Sequence, residues 1–70
     1  MTPTQQELLR KLAELCQSSP DVRFGQLLAN LTFLVEDRAN QSLWEVDDPS
    51  LLAVMEQHRI ELSKRQQSVA

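Results

Sequence analysis

The chain has 70 residues, 41% of them hydrophobic and 24% charged, with a single glycine. That length allows one domain, and the composition excludes both a disordered and a collagen-like chain, although so small a core contributes only about 3–5 kcal/mol of net stability. Seven Lys and Arg against ten Asp and Glu give a formal charge of −3, which disfavours phosphate backbones and anionic membrane surfaces as partners.

Taken in chain order, the first helix is predicted over about residues 4–17. Thr4 and Glu7 have the spacing of a capping box, with Thr4 accepting from the Glu7 amide and Glu7 reaching back. Leu8, Leu12 and Leu15 fall on one face, widened by Leu9 and Cys16, while Arg10, Lys11 and Glu14 read as solvated. The segment QSSP then stops the helix. Ser19 offers a cap for the next one, with Pro20 at its first position, where a missing amide hydrogen costs little.

The second helix is predicted over about 20–36. Phe24, Leu27, Leu28, Leu31, Leu34 and Val35 form a nearly continuous apolar stripe. Gly25, Ala29 and Thr32 make a flank of small side chains, and Val22, Ala29 and Phe33 add apolar surface away from the stripe. So few solvent-facing positions suggest a central helix enclosed by its neighbours. A glycine inside a helix costs about 1 kcal/mol relative to alanine, so Gly25 with Ala29 is read as a close-approach point between helices.

Residues 37–46, DRANQSLWEV, break the pattern. The reading is a polar loop over 37–42, followed by a short extended piece, 43–46, tucked against the bundle. Asp47 or Asp48 then caps a third helix over about 48–62, with Pro49 in its first turn and Val46 as a hydrophobic staple onto Leu51 or Leu52. Leu51, Met55, His58 and Leu62 share its inner face, and the polar tail, 63–70, is expected to fray. The fold class is therefore a single small all-α three-helix domain with a short extended segment between helices two and three.

The stretch PDVRFGQLLANL at 20–31, followed by LWEVDDPSLL at 43–52, is similar to a pattern in small bacterial and phage helical proteins. These share a PDxRxGQLxxN core and a following aromatic-acidic segment. Asp21, Arg23, Gly25, Gln26, Leu27 and Asn30 occupy the motif positions, across about half of the chain. The resemblance implies a common helical architecture and carries no activity with it.

Few residues suggest chemistry. His58 lacks a metal-ligating partner one helical turn away and has no nearby nucleophile, so it reads as a packed histidine. Cys16, the one cysteine, cannot form an intrachain disulfide or a zinc cluster, and no catalytic signature surrounds it. Glu36/Asp37 and Asp47/Asp48 match no calcium loop, and the latter pair suits a helix N-terminus. Nothing resembles a phosphate-binding loop. No enzyme, cofactor or metal site is expected.

Arg23, Gln26 and Asn30 line one edge of the second helix. They suit either a polar binding row or structural brackets that satisfy backbone groups of 37–46, with Arg23 pairing Glu45; the bracket reading is preferred. The opening MTPTQQELLRKL lacks the basic start and apolar run of a signal peptide, and no segment approaches a membrane span, so a cytoplasmic setting is expected. The functional expectation is a non-catalytic protein–protein interaction module, with Val22, Ala29 and Phe33 as its candidate surface and self-association into a homodimer as one use of it. The alternative class is a small nucleic-acid-binding regulator of helix-turn-helix type. It has against it the acidic balance and an apolar second helix with little to read base edges.

Overall fold

The computed structural model describes residues 1–68, and side chains through Arg65. It is an all-α domain of three helices: α1 (Pro3–Ser18), α2 (Phe24–Ala39) and α3 (Asp48–Ser68). No strand occurs among the described residues. Each helix begins where local chemistry allows it. The Thr2 hydroxyl accepts from the Gln5 amide at 3.1 Å, and the Gln5 side chain accepts from the Thr2 amide at 3.0 Å. The capping box is thus Thr2/Gln5 rather than Thr4/Glu7, because Pro3 at the first helical position is already set for helix.

The predicted start of the second helix at residue 20 is corrected to Phe24. Ser19 and Pro20 build a turn instead, in which the Val22 amide donates to the Ser19 carbonyl at 3.1 Å. Proline's fixed φ suits the second position of such a turn as well as it suits a helix start. α2 continues past residue 36 to Ala39, and Asn40 ends it in the left-handed conformation (φ 54°, ψ 37°). Asparagine tolerates that conformation better than most residues.

The 43–46 segment is not extended. The Val46 amide donates to the Ser42 carbonyl at 3.0 Å, closing a single helix-like turn. The Ser42 hydroxyl caps it, accepting from the Glu45 amide at 3.2 Å and donating to the Glu45 carboxylate at 2.8 Å. A serine three residues before a glutamate supplies this capping chemistry locally, so no neighbouring strand is needed. At the start of α3, the Asp47 carboxylate accepts from the Ser50 amide at 2.8 Å. Val46 and Leu51 belong to one hydrophobic cluster, the placement that the suggested staple requires. At its far end α3 outlasts the predicted limit of 62. SKRQQS lacks proline and glycine and is rich in good helix formers, so nothing stops the helix when the apolar contacts end. Residues 69 and 70 of the expected frayed tail lie outside the described part.

Among the described residues, seven hydrophobic ones are buried: Leu15, Leu27, Leu31, Val35, Val46, Val54 and Met55. They form two adjoining clusters. Leu15, Leu27, Leu31 and Met55 join all three helices, while Val35, Val46 and Val54 close the end nearer the linker. Both α2 and α3 serve the two clusters, but α3 is the central helix. It packs against both α1 and α2, which scarcely approach each other. The expectation that helix two is enclosed on several sides is therefore overturned: α2 buries one stripe and leaves its back open.

Charged pairs fasten the outer helices to α3. Lys11 reaches Glu56 at 2.7 Å and Glu14 at 3.4 Å, and Arg59 binds Glu56 at 2.6 Å and approaches Glu14 at 3.6 Å. Lys11 and Glu14 pair with Glu56 and Arg59 respectively, so α1 and α3 run in the same direction. Arg38 ties the end of α2 to Glu61 at 2.6 Å. Lys11 and Glu14 are thus part of an interhelical network rather than simply solvated.

Candidate functional site

The three aromatic side chains of the chain all lie outside its core. Trp44 is 95% exposed, Phe33 68% and Phe24 54%. Aromatic residues normally contribute the largest single burials in a fold, and here the buried set is entirely aliphatic. Two apolar surfaces result, on different sides of α2.

The first is a groove of about 330 Å3 whose walls include Leu8 and Leu12 of α1, Leu28 of α2, and Leu43 and Trp44 of the linker turn. Leu51 and Met55 of α3 contribute its floor. The groove exists because α1 and α2 lie against α3 without closing on each other. Phe24 stands one turn before Leu28 and extends the same face of α2. Asp48 lies at the groove's edge. A shallower polar notch lined by Glu36, Asn40, Ser42 and Glu45 sits beside the same linker turn.

The second surface is the back of α2, where Ala29 and Phe33 are exposed, and Val22 is exposed in the turn before it. These are the residues singled out from sequence. Neither α1 nor α3 covers them.

Arg23, Gln26 and Asn30 are all exposed. Gln26 does act as a bracket, but on its own helix: its side-chain oxygen accepts from the Arg23 amide at 3.2 Å. Arg23 forms no ion pair with Glu45, whose carboxylate is held by Ser42. The polar row therefore does not secure residues 37–46, because that segment satisfies itself. The close-approach reading of Gly25 with Ala29 is also corrected. A methyl group built on Gly25 would meet nothing within 4 Å, since no helix lies on that side.

His58 is half-buried, and burial is the main cause that pushes its pKa below the ordinary value; Arg38 and Arg65 add to the fall and Glu61 opposes it. Cys16 is a free, partly buried thiol packed against the core. Among the described residues no three His, Cys, Asp or Glu side chains gather where they could hold a metal, and no helix is long and apolar enough to cross a membrane.

Sequence reasoning missed the groove, and with it Leu28, Leu43 and Trp44 as surface residues. Leu28 belongs to the same stripe as Leu27 and Leu31, and periodicity does not distinguish a covered edge from an open one. The available signal was Leu43-Trp44 itself, two large apolar residues in a short polar linker. Comparison with protein-family models, curated proteins and solved structures gave no match.

Proposed function

We propose that the chain is a non-catalytic protein–protein interaction module. The observation that supports this reading most is the exclusion of every aromatic side chain from the core. Aromatic residues are enriched at protein interfaces, and contiguous exposed apolar patches mark contact surfaces. The similarity of PDVRFGQLLANL to small bacterial and phage helical proteins agrees with a compact scaffold of this kind.

The first contact to test is a second copy meeting the back of α2 through Phe33 and Ala29. An antiparallel pairing of two α2 helices about a two-fold axis sets Arg23, near the start of one, against Glu36 and Asp37, near the end of the other. That arrangement is complementary in charge as well as apolar at its centre. Light scattering at micromolar concentration should give about twice the 8.0 kDa chain mass, and Phe33→Glu should return it to monomer. A monomeric wild type would remove self-association through this face. A nucleic-acid role is disfavoured by the acidic balance of the chain, seven Lys and Arg against ten Asp and Glu. Salt-sensitive binding to any duplex in a low-salt anisotropy titration would overturn that judgement.

A further inference from the structure

Gly25 is the one glycine of the chain, and nothing inside the fold accounts for it. Its φ is not positive, so no turn requires it, and an added methyl group would meet nothing within 4 Å. Glycine is a poor helix former, yet this one stands in the first turn of α2. Ala29 follows it by about one helical turn and Phe33 by about two, and all three are exposed on the back of the helix. On either side of Ala29, four residues away, this face thus has a missing side chain and its largest one, Phe33, 68% exposed.

We propose that Gly25 is the socket for Phe33 of a second copy of this chain, in an antiparallel pairing of two α2 helices. The proposal rests on the reading of this face as a self-association surface and assigns the residue that sets its register. Where two helices interlock, each protruding side chain enters a hole made by residues i, i+3, i+4 and i+7 of the other. With the two-fold axis at Ala29, Phe33 of each copy comes level with Gly25 of the other. The hole there is made by Val22, from the turn, and by Gly25, Gln26 and Ala29 of the helix. The missing side chain at Gly25 and the single methyl of Ala29 give that hole the depth an aromatic ring needs. The same register sets Arg23, six residues before Ala29, against Glu36 and Asp37, seven and eight after it, level to within about 3 Å along the axis. Among the described residues neither Arg23, Glu36 nor Asp37 makes an ion pair within its own chain, so these charges are available to a second copy. Asp21, the other charge at that end, lies ahead of the helix in the turn. A parallel pairing would instead set ring against ring, Arg23 against Arg23 and the two glycines across an empty space.

The test reads association by light scattering and fold stability by urea unfolding at a dilution where the wild type is monomeric. Gly25→Leu should leave the monomer folded, because the added side chain enters open space, and should weaken dimerisation about tenfold or more by filling the socket. Phe33→Ala should weaken it similarly by removing the ring. The two variants mixed in equal amounts should associate about tenfold more tightly than either alone. Phe33 of the first then enters the vacant socket of the second, while the filled socket meets no ring. Should urea unfolding show that Gly25→Leu does not fold, Asp37→Arg tests the same register with exposed side chains: it should weaken dimerisation, and Arg23→Asp/Asp37→Arg should restore it. A Gly25→Leu chain that dimerises like the wild type, a mixture no tighter than its components, or a charge reversal without effect would each overturn the proposal. A monomeric wild type would remove it together with the self-association on which it rests. If Phe33→Glu breaks the dimer and Gly25→Leu does not, association through the back of α2 stands and only the socket is wrong.

Discussion

Replacing Leu15 with alanine should come close to unfolding the protein, while replacing Trp44 with alanine should hardly matter. Leu15 is 0% exposed and lies where all three helices meet, against Leu27, Leu31 and Met55. Leu→Ala removes three methylene-sized groups, worth about 2.4 kcal/mol in transfer free energy. The residual cavity adds a further contribution, which brings typical buried Leu→Ala losses to about 2.7–5 kcal/mol. A domain of this size holds only about 3–5 kcal/mol in total, so Leu15→Ala should leave a large unfolded fraction at room temperature. Trp44, at 95% exposed, gives up almost no buried area, and its truncation should change stability by less than about 0.5 kcal/mol. Urea unfolding followed by far-ultraviolet circular dichroism measures both on one scale. A loss above about 1 kcal/mol for Trp44→Ala, or below about 1 kcal/mol for Leu15→Ala, would refute the division between an aliphatic core and an aromatic surface.

Other substitutions test local features. Gly25→Ala should stabilise the fold by about 0.4–1 kcal/mol, because its φ is negative and nothing lies near the added methyl; a loss in thermal melting would restore the close-packing reading. Asn40→Ala should cost about 1 kcal/mol and Asn40→Gly should cost nothing, since position 40 is left-handed; equal urea midpoints for the two variants would contradict this. Glu56, held by Arg59 and Lys11, has its pKa lowered from 4.5 to about 2. Its contribution to stability is therefore complete above pH 4.5 and declines as pH falls toward 2. Glu56→Gln should flatten that part of the stability–pH curve, and an unchanged acid limb would show that the network contributes nothing. His58 acts with the same sign at higher pH: with its pKa depressed by burial, the unfolded chain binds the proton first, so stability should fall as pH drops below the ordinary histidine value. His58→Gln should remove that fall, and a wild-type curve level through this range would argue against the burial effect.

The three helices were legible in the sequence because their apolar spacing is strong, and the starts of α1 and α3 each carry a capping side chain and a proline. The Asp47 cap follows from that local chemistry and occurs as read, and Val46 joins the cluster that Leu51 packs against. Which helix is central was not legible. Phe33 behind the α2 stripe looked like a second packing face, yet the helix with two partners is α3, where the adjacent Val54 and Met55 feed different clusters. Periodicity shows how much apolar surface a helix has, but not whether a neighbour arrives to cover it. The same limit hid the groove. Leu28 and Trp44 are apolar residues that a core could have taken, and only the divergence of α1 from α2 leaves them outside. At Ser19-Pro20, turn and helix start share the same residues, and the turn won.

All three aromatic side chains stand outside the core, and Trp44 reports that directly. Acrylamide quenching of its fluorescence should be measured on the folded chain, at a dilution where light scattering finds a monomer, and again on the chain unfolded in urea. Nearly equal quenching in the two states is the predicted result. Strong protection of Trp44 in the folded monomer would put the side chain inside the fold, and would remove the groove together with the reading built on exposed aromatic side chains.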